Sequence, residues 1–137
     1  MKIEAVMNRH VEYAAGEDTA MDLAVMMGDL DVGALPLGSG DGIEGIVTDR
    51  DILYRVVARG LDPRSVKASD IASFPVIGCR PGDDVQTALD LMAAHRVRRL
   101  AVREEDGPVV GWVTLADLSR PLLVQSGTVQ TALRELA

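Results

Sequence analysis

The sequence predicts a mixed α/β fold built from two copies of one β-α-β-β-α repeat, and three observations predict it. First, Gly111-Trp112-Val113-Thr114-Leu115-Ala116-Asp117 repeats the design of Gly45-Ile46-Val47-Thr48-Asp49-Arg50-Asp51, 66 positions earlier: a glycine, a short apolar run closed by threonine, and an aspartate three residues on. Second, apolar runs of strand length alternate with stretches whose apolar residues recur at steps of three and four, the helical period. Third, Asp18 and Asp84, and Met26 and Met92, also stand 66 apart, and self-similarity at a near-fixed period marks a duplicated structural unit. A unit of about 60 residues leaves apolar faces uncovered when alone. Two copies covering each other, as one domain with approximate internal two-fold symmetry and a central cleft, is the expected architecture.

In chain order, Ile3, Val6 and Met7 have helix-like spacing, and Val11 to Ala14 reads as a short strand. Asp18 is read as the N-cap of a helix in which Ala20, Leu23, Ala24, Met27 and Leu30 share one face. Val32 to Leu37 and Ile43 to Thr48 read as strands joined by a turn at Gly38-Ser39-Gly40-Asp41-Gly42, since glycines accept the positive φ of tight hairpins. A helix over Asp51 to Arg59 follows, with Ile52, Leu53, Val56 and Val57 as its apolar stripe and Gly60 closing it. Leu61 to Ser65 is a polar linker broken by Pro63. The second copy then runs as a helical turn at Lys67 to Ala72, a strand at Pro75 to Cys79, and a turn and cap at Pro81 to Asp84. Its first helix has Val85, Ala88, Leu89 and Met92 inward. Strands at Val97 to Val102 and Val109 to Thr114 flank a turn at Glu104 to Gly107. A closing helix over Leu115 to Val124 is kinked near Pro121, and a final helix spans Thr128 to Leu136. The first repeat is thus placed at residues 1–62, the linker at 63–66, the second repeat at 67–125 and a C-terminal helix at 126–137.

Composition narrows the function. The net charge of −7 argues against a binder of nucleic-acid backbone, which wants a basic field. Only Tyr13, Tyr54, Phe74 and Trp112 are aromatic, so stacking platforms are scarce and the core is aliphatic. No apolar run approaches the roughly 20 residues that span a bilayer, and Glu4, Arg9 and Glu12 interrupt the N-terminus, so neither a membrane span nor a signal-peptide core is expected. The single cysteine, Cys79, forms no intrachain disulfide, which makes a cytoplasmic setting the default.

The duplicated motif carries the chemistry. A strand that ends in threonine just before a helix sets a hydroxyl beside free backbone N–H groups, where anions such as phosphate bind. An aspartate one turn later can accept hydrogen bonds from the vicinal hydroxyls of a ribose. Thr48 with Asp51, and Thr114 with Asp117, therefore suit a nucleotide. The same spacing is also a capping box, in which the two side chains do no more than satisfy the helix N-terminus, and both readings stay open. His10, His95 and Cys79 do not fall at metal-ligand spacing, so no metal is expected. No Ser/His/Asp arrangement or P-loop is present, and no enzyme activity is expected.

Taken in order, several segments resemble a tandem pair of CBS domains, the repeats found in cystathionine β-synthase, inosine monophosphate dehydrogenase and the AMP-activated kinase γ subunit. In the first copy these are Val6-Met7, Asp18-Thr19 leading to Met26-Met27, Val32 to Leu37, and Thr48 with Asp51. In the second they are Phe74-Pro75-Val76, Asp84 through Met92, Val97 to Val102, and Thr114 with Asp117. The resemblance covers Ala5 to Leu123 and departs at Ala101, where the family often has proline, as at Pro36. It implies a stand-alone regulatory sensor binding AMP, ADP or ATP between the repeats, with S-adenosylmethionine and NAD ranked behind them. It further implies phosphate at the threonine, ribose at the aspartate, and the base against the opening strands near Val11, Val76 and Ile77. A homodimer burying helical faces of both repeats, and a regulated protein of unknown identity, are the implied partners. The family also sends basic residues from one repeat's middle strand to the other's cleft. Arg98 and Arg99 in the second copy, against Gly33 and Ala34 in the first, make the Thr48–Asp51 cleft the expected anion site. The competing expectation is an interaction or structural module with empty clefts.

Overall fold

A computed structural model of the chain describes residues 1–39, 42–74, 76–105, 109–122 and 127–136. The chain divides into two compact units, Val11–Val76, and Met1–His10 together with Ile77–Ala137. Gly40, Asp41, Pro75, Asp106, Gly107, Leu123 and Val124, which figure in the sequence-based assignments, lie outside the described residues.

In the first unit a reciprocal box, not a lone aspartate, starts the opening helix α1 (Ala20–Leu30). The Asp22 N–H donates to the Thr19 hydroxyl at 3.1 Å, and the Thr19 N–H donates to the Asp22 carboxylate at 3.0 Å. The expected cap, Asp18, has methionine three residues on and so lacks a reciprocal partner; it instead accepts from the Ala15 N–H at 2.9 Å in the preceding turn. Helix α1 buries Ala20, Leu23 and Met27 but leaves Ala24 and Leu30 exposed. Strands β1 (Ala34–Ser39) and β2 (Gly42–Thr48) pair antiparallel, Ala34 opposite Thr48, with a bulge between Leu37 and Gly38. Gly38 holds φ at 143°, and a Cβ there would strike the Gly42 carbonyl oxygen.

The helix after β2 begins as α2 (Asp49–Ile52) and continues as a π-type turn, Leu53–Val57, where the Ala58 N–H reaches back to the Leu53 carbonyl at 2.9 Å. Only half of the expected apolar stripe faces inward. Val56 is fully buried and Ile52 packs on the core, whereas Leu53 and Val57 are 50% and 60% exposed. A short α3 (Ala68–Ile71) completes an aliphatic core around Leu23, Leu35, Leu37 and Val47.

The second unit repeats this plan. Helix α4 (Val85–His95) buries Val85, Ala88 and Met92. Its N-cap residue, Asp84, makes no capping bond and pairs instead with Lys2 at 3.0 Å, which holds the Asp84 carboxyl below its ordinary pKa. Strands β3 (Gly78–Cys79), β4 (Arg99–Arg103) and β5 (Val109–Thr114) form a sheet in which β3 is parallel to β4 and β4 antiparallel to β5. Helix α5 (Leu115–Ser119) tightens into a 3-10 turn at Arg120–Leu122, where Pro121 interrupts the α pattern, and α6 (Gly127–Leu136) follows.

The leading segments are exchanged. In the second unit the Ile3 N–H donates to the Asp83 carbonyl at 2.9 Å, and Asn8 and Trp112 trade N–H···O bonds of 2.8 and 2.9 Å. In the first unit the matching bonds are made by the chain leading into the second repeat: the Ala68 N–H to the Asp18 carbonyl at 2.8 Å, and a trade between Ile46 and Ser73 at 3.2 and 2.9 Å. The chain therefore passes between units at His10/Val11 and Val76/Ile77. That passage explains why the opening strands are shorter than expected. Pairing begins only after each passage, leaving a single bridge at Ala14–Leu37 in one unit and the two-residue β3 in the other. Among the described residues no helix is long and apolar enough to cross a membrane.

Candidate functional site

Thr48 ends β2 in an extended conformation (φ −106°, ψ 164°), and the next residue enters the helix. The Asp51 N–H donates to the Thr48 hydroxyl at 3.2 Å, and the Thr48 N–H donates to Asp51 Oδ2 at 2.9 Å. Thr114 and Asp117 reproduce both bonds at the same two distances. The capping chemistry is thus realised twice. It does not exhaust the side chains, because each threonine hydroxyl keeps a proton to donate and each carboxylate keeps a second oxygen to accept.

Those second oxygens face arginines. Asp51 Oδ1 lies 3.7 Å from Arg55 Nε, and Asp117 Oδ1 lies 4.0 Å from Arg120 Nη1. Arg55 is held from its other side, where Nη1 donates to the Ile71 carbonyl at 2.9 Å. The Asp51 side chain is also the more enclosed of the two aspartates, 13% exposed against 25%. Neither arginine stands out in the sequence, although the four-residue step from Asp51 to Arg55 is the spacing at which acid and base meet on a helix.

The remaining candidates divide between the units. Val11 and Val76 are half-buried in the unit that holds Thr48 and Asp51; Ile77, Arg98 and Arg99 belong to the unit that holds Thr114 and Asp117. Arg99 lies directly opposite Thr114 across β4 and β5, so the two side chains share a sheet face, and the Arg98 carbonyl accepts from the Leu115 N–H at 2.8 Å. At the matching places in the first unit stand Ala34, opposite Thr48, and Gly33, whose carbonyl accepts from the Asp49 N–H at 2.9 Å. Arg99 therefore shares a face with the second repeat's own threonine, while Arg98, just before β4, meets the motif through its backbone carbonyl.

Cys79 is buried. Desolvation, with a smaller push from Asp83, raises its thiol from 9.0 to about 11, so it is protonated and a poor nucleophile or metal ligand near neutral pH. Among the described residues no group of three or more His, Cys, Asp or Glu side chains could hold a metal ion.

Two copies of one strand-and-helix plan, each with a threonine–aspartate box where its closing helix begins, define a tandem α/β module. The chain belongs to the CBS domain family, whose profile it matches twice, at residues 3–58 and 68–123. Hypoxic response protein 1 of Mycobacterium tuberculosis is 36% identical over 118 residues, 85% of this chain and 82% of that protein. A crystal structure of Hypoxic Response Protein I with two coordinated zinc ions superposes with a TM-score of 0.74 at 36% identity, covering 88% of this chain and 98% of the other. The CBS domain protein PAE2072 of Pyrobaculum aerophilum, solved in complex with AMP, gives a TM-score of 0.80 at 27% identity, covering 93% and 99%.

Proposed function

We propose that the chain is a non-enzymatic regulatory module that binds an adenosine-containing ligand of the AMP, ADP or ATP class, and that occupancy alters its hold on a regulated protein. The observation that carries this reading is the Thr-x-x-Asp box at the same place in both repeats, where the last strand of each hands over to its closing helix, in a family with an AMP-bound member. The threonine hydroxyl donates its remaining proton to phosphate, and the aspartate accepts from the ribose. The base rests on apolar surface near Val11, Val76 and Ile77, and Arg98 and Arg99 neutralise phosphate charge in the site headed by Thr48 and Asp51. A homodimer in the cytoplasm is part of the same reading.

One observation favours a second assignment of the cations. Because Arg99 shares a sheet face with Thr114, it can serve the Thr114–Asp117 site of its own unit. Titration calorimetry with AMP and ATP separates the two. Loss of affinity in Arg99→Ala and Asp51→Asn, with Asp117→Asn retaining it, supports the first assignment; the reverse pattern for the two aspartates supports the second. Arg99→Ala binding as tightly as the parent rejects both. A module with empty clefts remains the competitor, since both boxes are already satisfied internally. Under that reading AMP, ADP, ATP, S-adenosylmethionine and NAD all leave the melting temperature unchanged, whereas a ligand of the folded state raises it by mass action.

A further inference from the structure

The two threonine–aspartate boxes match bond for bond, so what separates them lies in the groups around each aspartate. A carboxylate turns about a soft terminal torsion, with broad and shallow preferences. In each box the threonine N–H holds Oδ2, and Oδ1 is the oxygen left to meet a ligand. A single bond to Oδ2 leaves Oδ1 able to swing about it. Whether Oδ1 is aimed in advance therefore depends on a second partner.

The first repeat supplies one. Arg55 Nε stands 3.7 Å from Asp51 Oδ1, beyond hydrogen-bond distance, so its charge favours one orientation of the carboxylate without occupying a lone pair. The guanidinium is itself anchored, because Nη1 donates at 2.9 Å to the carbonyl of Ile71. Ile71 is the last residue of α3 and is 3% exposed, and the carbonyls at a helix end lack partners within the helix. Helix α3 is in turn bonded to the loop before α1, through the Ala68 N–H to the Asp18 carbonyl at 2.8 Å and the Ser69 N–H to the Gly16 carbonyl at 3.0 Å. A planar fork with several donors can face a carboxylate and a carbonyl at once. The second repeat has no such arrangement at the matching place: Pro121 stands 66 positions beyond Arg55, and the cation near Asp117 is Arg120, one residue earlier and at 4.0 Å.

We propose that Arg55 is a positioning residue that presets Asp51 Oδ1 to accept from a ribose hydroxyl, which makes the first box selective for ribonucleotides over 2′-deoxyribonucleotides. An acceptor aimed before the ligand arrives rewards a hydroxyl placed to reach it, since the ordering has been done in the folded chain. A ligand that lacks that hydroxyl leaves an enclosed carboxylate oxygen unpaired, and a site built to bond a hydroxyl rejects the analogue without one. This inference rests on the nucleotide reading above and adds to it the residue that sets the sugar preference.

Titration calorimetry of the full chain with AMP and 2′-deoxy-AMP tests it, with circular dichroism to confirm folding. The parent is expected to prefer AMP by at least about tenfold, the scale of a hydrogen bond to a charged group. Arg55→Met is expected to cut that preference by at least about threefold while binding 2′-deoxy-AMP as the parent does, the scale of a partly exposed ion pair. A general loosening of the site would weaken both ligands alike and keep their ratio. Arg55→Lys preserves a cation for the Ile71 carbonyl but no fork to face Asp51 as well, and should lose the preference like Arg55→Met. An unchanged ratio in both variants, or equal affinities in the parent, overturns the positioning role and leaves nucleotide binding standing. Loss of the preference in Arg55→Met with its retention in Arg55→Lys overturns the two-sided hold. A preference abolished by Asp117→Asn and kept by Asp51→Asn puts the ribose at the second box and overturns this inference alone. A parent that binds neither ligand removes the nucleotide reading and this one together.

Discussion

Thr48 and Thr114 each close a hydrogen-bonded ring with an aspartate three residues on, so capping and ligand recognition share the same atoms. Thr48→Ala should cost about 1 kcal/mol of stability through the lost cap and weaken nucleotide binding as well. Thr48→Ser, which keeps the hydroxyl, should restore both, and paired denaturation and calorimetry check this. A variant that lowers stability but leaves affinity untouched would confine Thr48 to capping. Cys79 gives a prediction of a different kind. Its thiol holds its proton more tightly folded than unfolded, so the stability it contributes is complete below about pH 9 and drains away as pH rises toward about 11. Urea midpoints should fall across that window, with a flatter slope for Cys79→Ala. At this scale the sequence was readable where covalent spacing sets the contact, as in Thr48–Asp51. It was silent where the contact is tertiary: the bond from Arg55 to the Ile71 carbonyl depends on a segment sixteen residues away.

Among the elements, the most consequential contacts are those by which each leading segment lies across a β-hairpin of the other repeat. Two glycines seat them at matching positions, with different tolerance. A Cβ at Gly111 would sit 2.9 Å from the Asn8 carbonyl oxygen and 2.8 Å from Met7 Sδ, and the backbone oxygen cannot step aside without breaking its pairing. The three atoms nearest a Cβ at Gly45 all belong to the ring of Phe74, which is 56% exposed and has solvent to swing into. Gly111→Ala should therefore destabilise by about 1–3 kcal/mol and Gly45→Ala by clearly less, measured as urea midpoints at constant slope. Helices and hairpins were readable from periodicity and turn residues. The width of the apolar stripe after Thr48 was not: Ile52 and Val56, four residues apart, face the core, while Leu53 and Val57, one position round, stay exposed.

For the whole molecule, the period of 66 carried the architecture, and the charge and aromatic content narrowed the ligand classes. The direction in which the arginines of the middle strand act was less accessible. The family resemblance sends them to the other repeat's cleft, and the strand register, which also sets Arg99 opposite Thr114, adds a second assignment to be tested beside it. Adenine nucleotides, if they occupy either box, should raise the melting temperature in proportion to the logarithm of their concentration once above the dissociation constant. Asp51→Asn and Asp117→Asn, scanned separately, would show which box is responsible.

The crossings at His10/Val11 and Val76/Ile77 mean that neither half of the polypeptide contains all the pieces of one folded unit. Each unit is completed by the leading segment of the other repeat, and because both segments belong to one chain the trade is made within the molecule. The internal duplication is, in folding terms, a domain-swapped dimer made permanent by a peptide bond.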